Sequence, residues 1–251
     1  MRRHSTFRTG NPALSAKAFQ IEHDSSDKMT LEGSVNKSGM SLLILMATAF
    51  YTFQTKNADF IWIGLIGGFI LALTTIFKKE WSPYTVPAYA ALEGLALGGI
   101  SLIFNNMYPG IAQQAVFLTF GIFGALLFAY KTKMIQATEN FRLGVFAATA
   151  GIGIAYIINL IAMWITGEAF TFMQIGGENA PTPMISIAFS FFVVVIAALN
   201  LVLDFDFIEQ GAEIGAPKYM EWYAAFGLLI TLIWLYIEIL RLLAKLQSRR
   251  N

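Results

Sequence analysis

Long apolar runs alternate with short polar breaks along the chain, and that alternation predicts its elements. The runs occupy residues 38–54, 59–77, 84–106, 112–130, 141–165, 183–208 and 221–246. A helix needs roughly 20 residues to cross the hydrocarbon layer of a bilayer, and only the first run is marginal for that. The breaks hold residues at which helices end: Lys56 and Asn57; Lys78, Lys79 and Glu80 with Pro83; Tyr108-Pro109-Gly110; Lys131 to Asn140; and Gly176-Gly177 through Pro181 and Pro183. Backbone groups cannot stay unpaired in lipid and no run shows a ten-residue alternation, so helices rather than a β-barrel must span. The predicted fold class is all-α, a polytopic membrane protein with a bundle of seven transmembrane helices. Residues 1–37 are expected to form a polar, partly disordered tail, and residues 38–251 the transmembrane domain. Small residues predict close helix contact in the third span (Gly94, Ala96, Gly98, Gly99) and in the fifth (Gly144, Gly151, Gly153).

Composition narrows the function classes. Of 251 residues 56% are apolar and 13% charged, against roughly a quarter charged in soluble domains. A net charge of +1 offers no basic field for a nucleic-acid backbone. Without cysteine there is no disulfide, iron–sulfur cluster or thiolate zinc site, and the two histidines, His4 and His23, both lie in the tail. The tail carries ten charges and no apolar core of a signal peptide. With the N-terminus in the cytoplasm, twelve Lys and Arg fall on the cytoplasmic side and five on the other, as the positive-inside rule favours. The basic C-terminus (Arg241, Lys245, Arg249, Arg250) runs against it.

Ionisable groups inside spans cost a few kcal/mol and mark functional candidates. Glu93 falls near mid-membrane in the third run. It is expected to be protonated, to pair across helices with Arg241, or to face a water-filled cavity. Asp204 and Asp206 lie near the cytoplasmic end of the sixth run, where Phe205 and Phe207 suggest surrounding lipid. Glu238 and Arg241 share a face of the seventh, and a pair between them is the bland alternative to a functional role.

Catalytic readings fit poorly. Asp204 and Asp206 point about 200° apart on a helix, so they cannot alone form an aspartyl-protease dyad. Zinc and serine proteases would need histidine in a span. A retinal Schiff base would need a mid-span lysine, and Lys245 sits at the very end of the last run. The chain is not expected to be an enzyme.

Four stretches together are recognisable: Glu93-Gly94-Leu95-Ala96-Leu97-Gly98-Gly99-Ile100-Ser101, Lys131-Thr132-Lys133, Leu203-Asp204-Phe205-Asp206-Phe207-Ile208 and Tyr236-Ile237-Glu238-Ile239-Leu240-Arg241-Leu242-Leu243, with Arg8-Thr9-Gly10-Asn11-Pro12-Ala13-Leu14 before them. In these the chain resembles the Bax inhibitor (transmembrane Bax inhibitor motif) family, and looks most like its prokaryotic branch. The resemblance implies a seven-helix fold with the last helix central, in the bacterial cytoplasmic membrane, and a pH-sensitive calcium leak. It also implies an aspartate pair bridging the sixth and seventh helices as a proton-sensitive latch. Asp204 matches the sixth-helix member, but the seventh-helix position is Thr231, which cannot ionise. Asp206 or Glu238 would have to supply the second carboxylate. Asp206 is preferred, making Asp204 and Asp206 the cytoplasmic acidic gate and candidate calcium ligands. Lys78 and Lys79 match a basic cluster of the family and are expected to reach those aspartates.

The expected function is passive cation conduction past Glu93 and Asp204/Asp206, with calcium as the transported ion and no resident cofactor. The rival is a non-transporting regulator that uses the tail to bind another membrane protein, such as a protease or stress factor. A proton-coupled transporter is disfavoured by the lack of an internal repeat.

Overall fold

The computed structural model describes residues 28–176 and 181–250. Among these residues the chain forms seven α-helices: α1 (Leu31–Thr55), α2 (Phe60–Phe77), α3 (Ser82–Met107), α4 (Ile111–Lys131), α5 (Glu139–Thr166), α6 (Met184–Glu213) and α7 (Met220–Arg250), with a single helical turn over Lys79–Trp81. Six of them, α2 to α7, are long and apolar enough to cross a membrane. The exception is α1, whose first two turns carry Glu32, Asn36 and Lys37. It begins inside the segment read as tail, because Thr30 caps it: the Thr30 hydroxyl accepts from the Gly33 N–H at 3.0 Å. Helix α6 runs beyond its predicted end to Glu213, so Asp204 and Asp206 lie well inside it.

The helices divide into two compact units. One draws on Met1–Ile103 and Leu203–Ile230, the other on Phe104–Val202 and Thr231–Asn251, so α6 and α7 each contribute one part to either unit.

In the first unit, glycine sets how close the helices come. A Cβ on Gly94 or Gly98 of α3 would strike α1, at Leu45 and Thr48 in one case and Ala49 and Thr52 in the other. These contacts advance in the same direction along both helices, so α1 lies parallel to α3. On α2, Gly64 meets Leu92 and Ala96, and Gly68 meets Glu93, while Gly99 of α3 meets Ile61, so α2 lies antiparallel to α3. Two Gly-x-x-x-Gly faces thus build a three-helix contact in which backbones nearly touch. Thr75 and Thr85 bond across the α2–α3 end at 2.7 Å.

The second unit is held differently. Its core groups Ile152 of α5 with Val193 and Ile196 of α6, and Tyr156, Phe189 and Trp234 pack around them. Asn200 joins α6 to α5 through the Thr149 hydroxyl at 2.8 Å. The small residues of α5 do not make the close contacts expected of them: around Gly144, Gly151 and Gly153 a Cβ would meet open space. Only 11% of the apolar window of α5 is buried within the protein, which leaves those glycines on a face directed outward, where lipid would cover them.

Gly94→Leu is therefore expected to force α1 from α3 and cost about 1–3 kcal/mol, as overpacking does. Gly144→Ala, whose Cβ meets open space inside α5, should be tolerated and stabilise by up to about 1 kcal/mol. Thermal unfolding in detergent reads both.

Candidate functional site

In the first unit the glycine contacts fix the position of Glu93. Its carboxylate lies against Gly68 of α2, and Tyr89, one turn earlier on α3, donates its hydroxyl to it. Tyr89 is buried and meets the Phe226 ring of α7 edge-on, 4.9 Å between centroids. Glu93 is thus a half-buried carboxylate with a phenol partner, tied through that phenol to the start of α7.

Asp204 is 1% exposed. Asp206, on another side of α6, is only half-buried and accepts from Gln210 Nε2 at 2.7 Å. Phe205 and Phe207, expected to face lipid, are buried in the protein. Lys78 ends α2 on the surface. The Lys79 ammonium sits 5.7 Å above the Tyr223 ring, a cation–π contact. Among the described residues no group of three or more His, Asp or Glu side chains is arranged to hold a metal ion.

One cluster went unread in the sequence. Glu221, in the first turn of α7, is 1% exposed, and its Oε1 accepts from the Thr30 N–H at 3.0 Å and the Thr30 hydroxyl at 2.9 Å. Lys218 Nζ pairs with the same oxygen at 3.0 Å. The carboxylate fills the space where Gly33 lacks a side chain, so it also sits at the positive end of α1. Next to it Met29 N–H donates to Ala216 O at 2.6 Å, and Ser82 Oγ to Tyr219 O at 2.9 Å. Burial and the nearby Glu80 carboxylate raise the pKa of the Tyr219 phenol in that turn. The signal in the sequence was Thr30-x-x-Gly33, a cap box without its acidic member.

In the second unit Glu238 and Arg241 do pair, Nη1 to Oε1 at 3.0 Å. Glu238 is 1% exposed, and its Oε1 also accepts from the Tyr156 hydroxyl at 2.9 Å. The guanidinium lies 5.6 Å above that same Tyr156 ring. Glu238 Oε2 is buried with no hydrogen-bond partner. Lys245 is no terminal surface residue, being 3% exposed.

The family model for Bax inhibitor 1 like proteins matches residues 11–248. The chain belongs to the Bax inhibitor 1 like family. No curated protein and no solved structure matches it. Thr231 of α7, where a second latch carboxylate was expected from the resemblance, is 3% exposed. Buried hydroxyls of this kind take hydrogen bonds but cannot carry the charge.

A double-mutant cycle of Tyr156→Phe and Glu238→Met, which has no oxygen to accept the bond, is expected to give a coupling of about 0.5–1.5 kcal/mol, the range of interhelical bonds in membrane proteins. Unfolding in detergent measures it, and additive single effects would contradict the bond.

Proposed function

We propose that this Bax inhibitor 1 like membrane protein is a pH-sensitive passive cation leak, with calcium as its ion. Its path runs beside Glu93 and is controlled at Asp204 and Asp206. The observation that carries the reading is Asp204, a carboxylate 1% exposed within an apolar helix, because such a group is too costly to keep without a task. Asp206 and Glu93 add oxygen on the same unit. Hard cations want six to eight oxygens, so a calcium ion passing two or three carboxylates would keep part of its water and bind weakly enough to leave.

The topology that suits this role is seven spans, with the N-terminus in the cytoplasm of a prokaryotic cell and α7 central. The parallel packing of α1 on α3 supports seven. The burial of α7, 61% over its apolar window and the largest among the six apolar helices, supports its central place. Asp204 keeps the latch role without the second carboxylate at Thr231. Protonating Asp204 or Asp206 removes a negative charge from the gate, and on this reading the leak opens as pH falls.

Purified protein in liposomes with an enclosed calcium dye tests this. Wild-type flux is expected to rise on acidification. Asp204→Asn, a mimic of the protonated state, should flatten that dependence, and Glu93→Gln should lower flux several-fold. Unchanged flux and pH profile in both variants would sink the reading.

The regulator reading rests on the N-terminal tail, and Glu221 refines its test. Removing residues 1–37 would also cut the Thr30 tie, whereas removing residues 1–27 leaves it intact. The shorter deletion is expected to keep the flux unchanged, whereas a non-transporting regulator should lose a co-purifying membrane-protein partner.

A further inference from the structure

Lys245 takes no part in the proposed path, yet it is among the most buried charged residues of the second unit. Its Nζ donates to Ser190 Oγ at 2.8 Å and to Ser186 O at 3.3 Å. All three residues are enclosed, at 3%, 2% and 0% exposure. An ammonium taken out of water must recover its solvation from oxygen dipoles or charges. Here two oxygens one turn apart on α6 do so. The Ser186 hydroxyl points elsewhere, to Gln174 O at 2.7 Å, which leaves the carbonyl to the ammonium.

The niche is also closed. Thr182, 1% exposed, accepts from the Gly176 N–H at 2.8 Å and donates to Ser248 Oγ at 3.2 Å, which ties the segment before α6 to the end of α7. Along α7, Glu238 lies seven residues before Lys245, about 10 Å away by helical rise, and Arg241 four before. The first favours a cation in the niche and the second opposes it.

A hydroxyl and a carbonyl directed at one desolvated positive charge form a donor set that suits any small monovalent cation. We propose that Ser190 Oγ and Ser186 O form a monovalent-cation site, which the chain fills with its own Lys245 ammonium and so closes to free cations. A tethered cation of this kind needs no recruitment from solution. It would hold α6 and α7 together while removing a docking point for ions in this unit. The proposal stands on the niche geometry and holds whether or not the protein conducts calcium.

Chemical rescue tests it. Full-length Lys245→Ala in detergent, at constant ionic strength, is titrated with ammonium or methylammonium chloride, with tetramethylammonium as the ion that cannot donate. At about five times the dissociation constant the small cations are expected to raise the melting temperature of the variant by about 2–4 °C. Wild type and Lys245→Ala/Ser190→Ala should not respond. No shift in Lys245→Ala, or a shift that survives Ser190→Ala, overturns the proposal. If Lys245→Ala aggregates, the readout is the yield of monodisperse protein purified throughout in ammonium rather than tetramethylammonium. Recovery in ammonium supports the site, and equal yields overturn it.

Discussion

Between helices in a bilayer there is no hydrophobic drive to associate, since lipid tails are as apolar as the side chains they would replace. Close backbone approach has to supply the attraction instead, through dispersion between many atoms at short range. The first unit depends on this at Gly64, Gly68, Gly94 and Gly98, which let α3 touch α1 on one side and α2 on the other. That contact is also what gives Glu93 its surroundings. A side chain at Gly68 would meet the Glu93 carboxylate and displace it from this position.

The buried polar groups of the two units answer a common problem in different ways. The Glu221 carboxylate is satisfied by a backbone N–H, a hydroxyl and an ammonium. Glu238 has a phenol and a guanidinium on one oxygen and nothing on the other. Both carboxylates take their bonds on Oε1, and the buried Oε2 of Glu238, with no hydrogen-bond partner, keeps capacity for another bond. The two carboxylates therefore differ in what they contribute, although they share one helix and the same 1% exposure.

Much of the fold was legible because apolar runs in a membrane protein have few alternatives. Six predicted runs lie within a few residues of α2 to α7 at all but one boundary, the end of α6. The start of α1 was missed because Glu32 and Lys37 look like tail and the local Thr30 cap was passed over, while the Glu221 tie that fastens Thr30 comes from α7, which no local pattern reveals. Glycines alone could not say which face packs: those of α3 meet neighbours and those of α5 meet none. Among the candidate residues, the Glu238–Arg241 pair followed from helical spacing. The burial of Lys245 did not, because serine on α6 is an unremarkable signal until tertiary packing brings it to the lysine. Phe205 and Phe207 misled for a related reason, as aromatic rings suit lipid and protein interior equally.

The tie between Thr30 and Glu221 spans 191 positions in the chain. A ribosome must therefore make six helices after Thr30 before the carboxylate that fastens it exists. Through most of its synthesis α1, which is not among the six helices long and apolar enough to cross a membrane, would have to keep its place with only its local cap and its glycine contacts. Its fastening comes with the first turn of α7, so the arrival of α7 is the event that locks the start of α1.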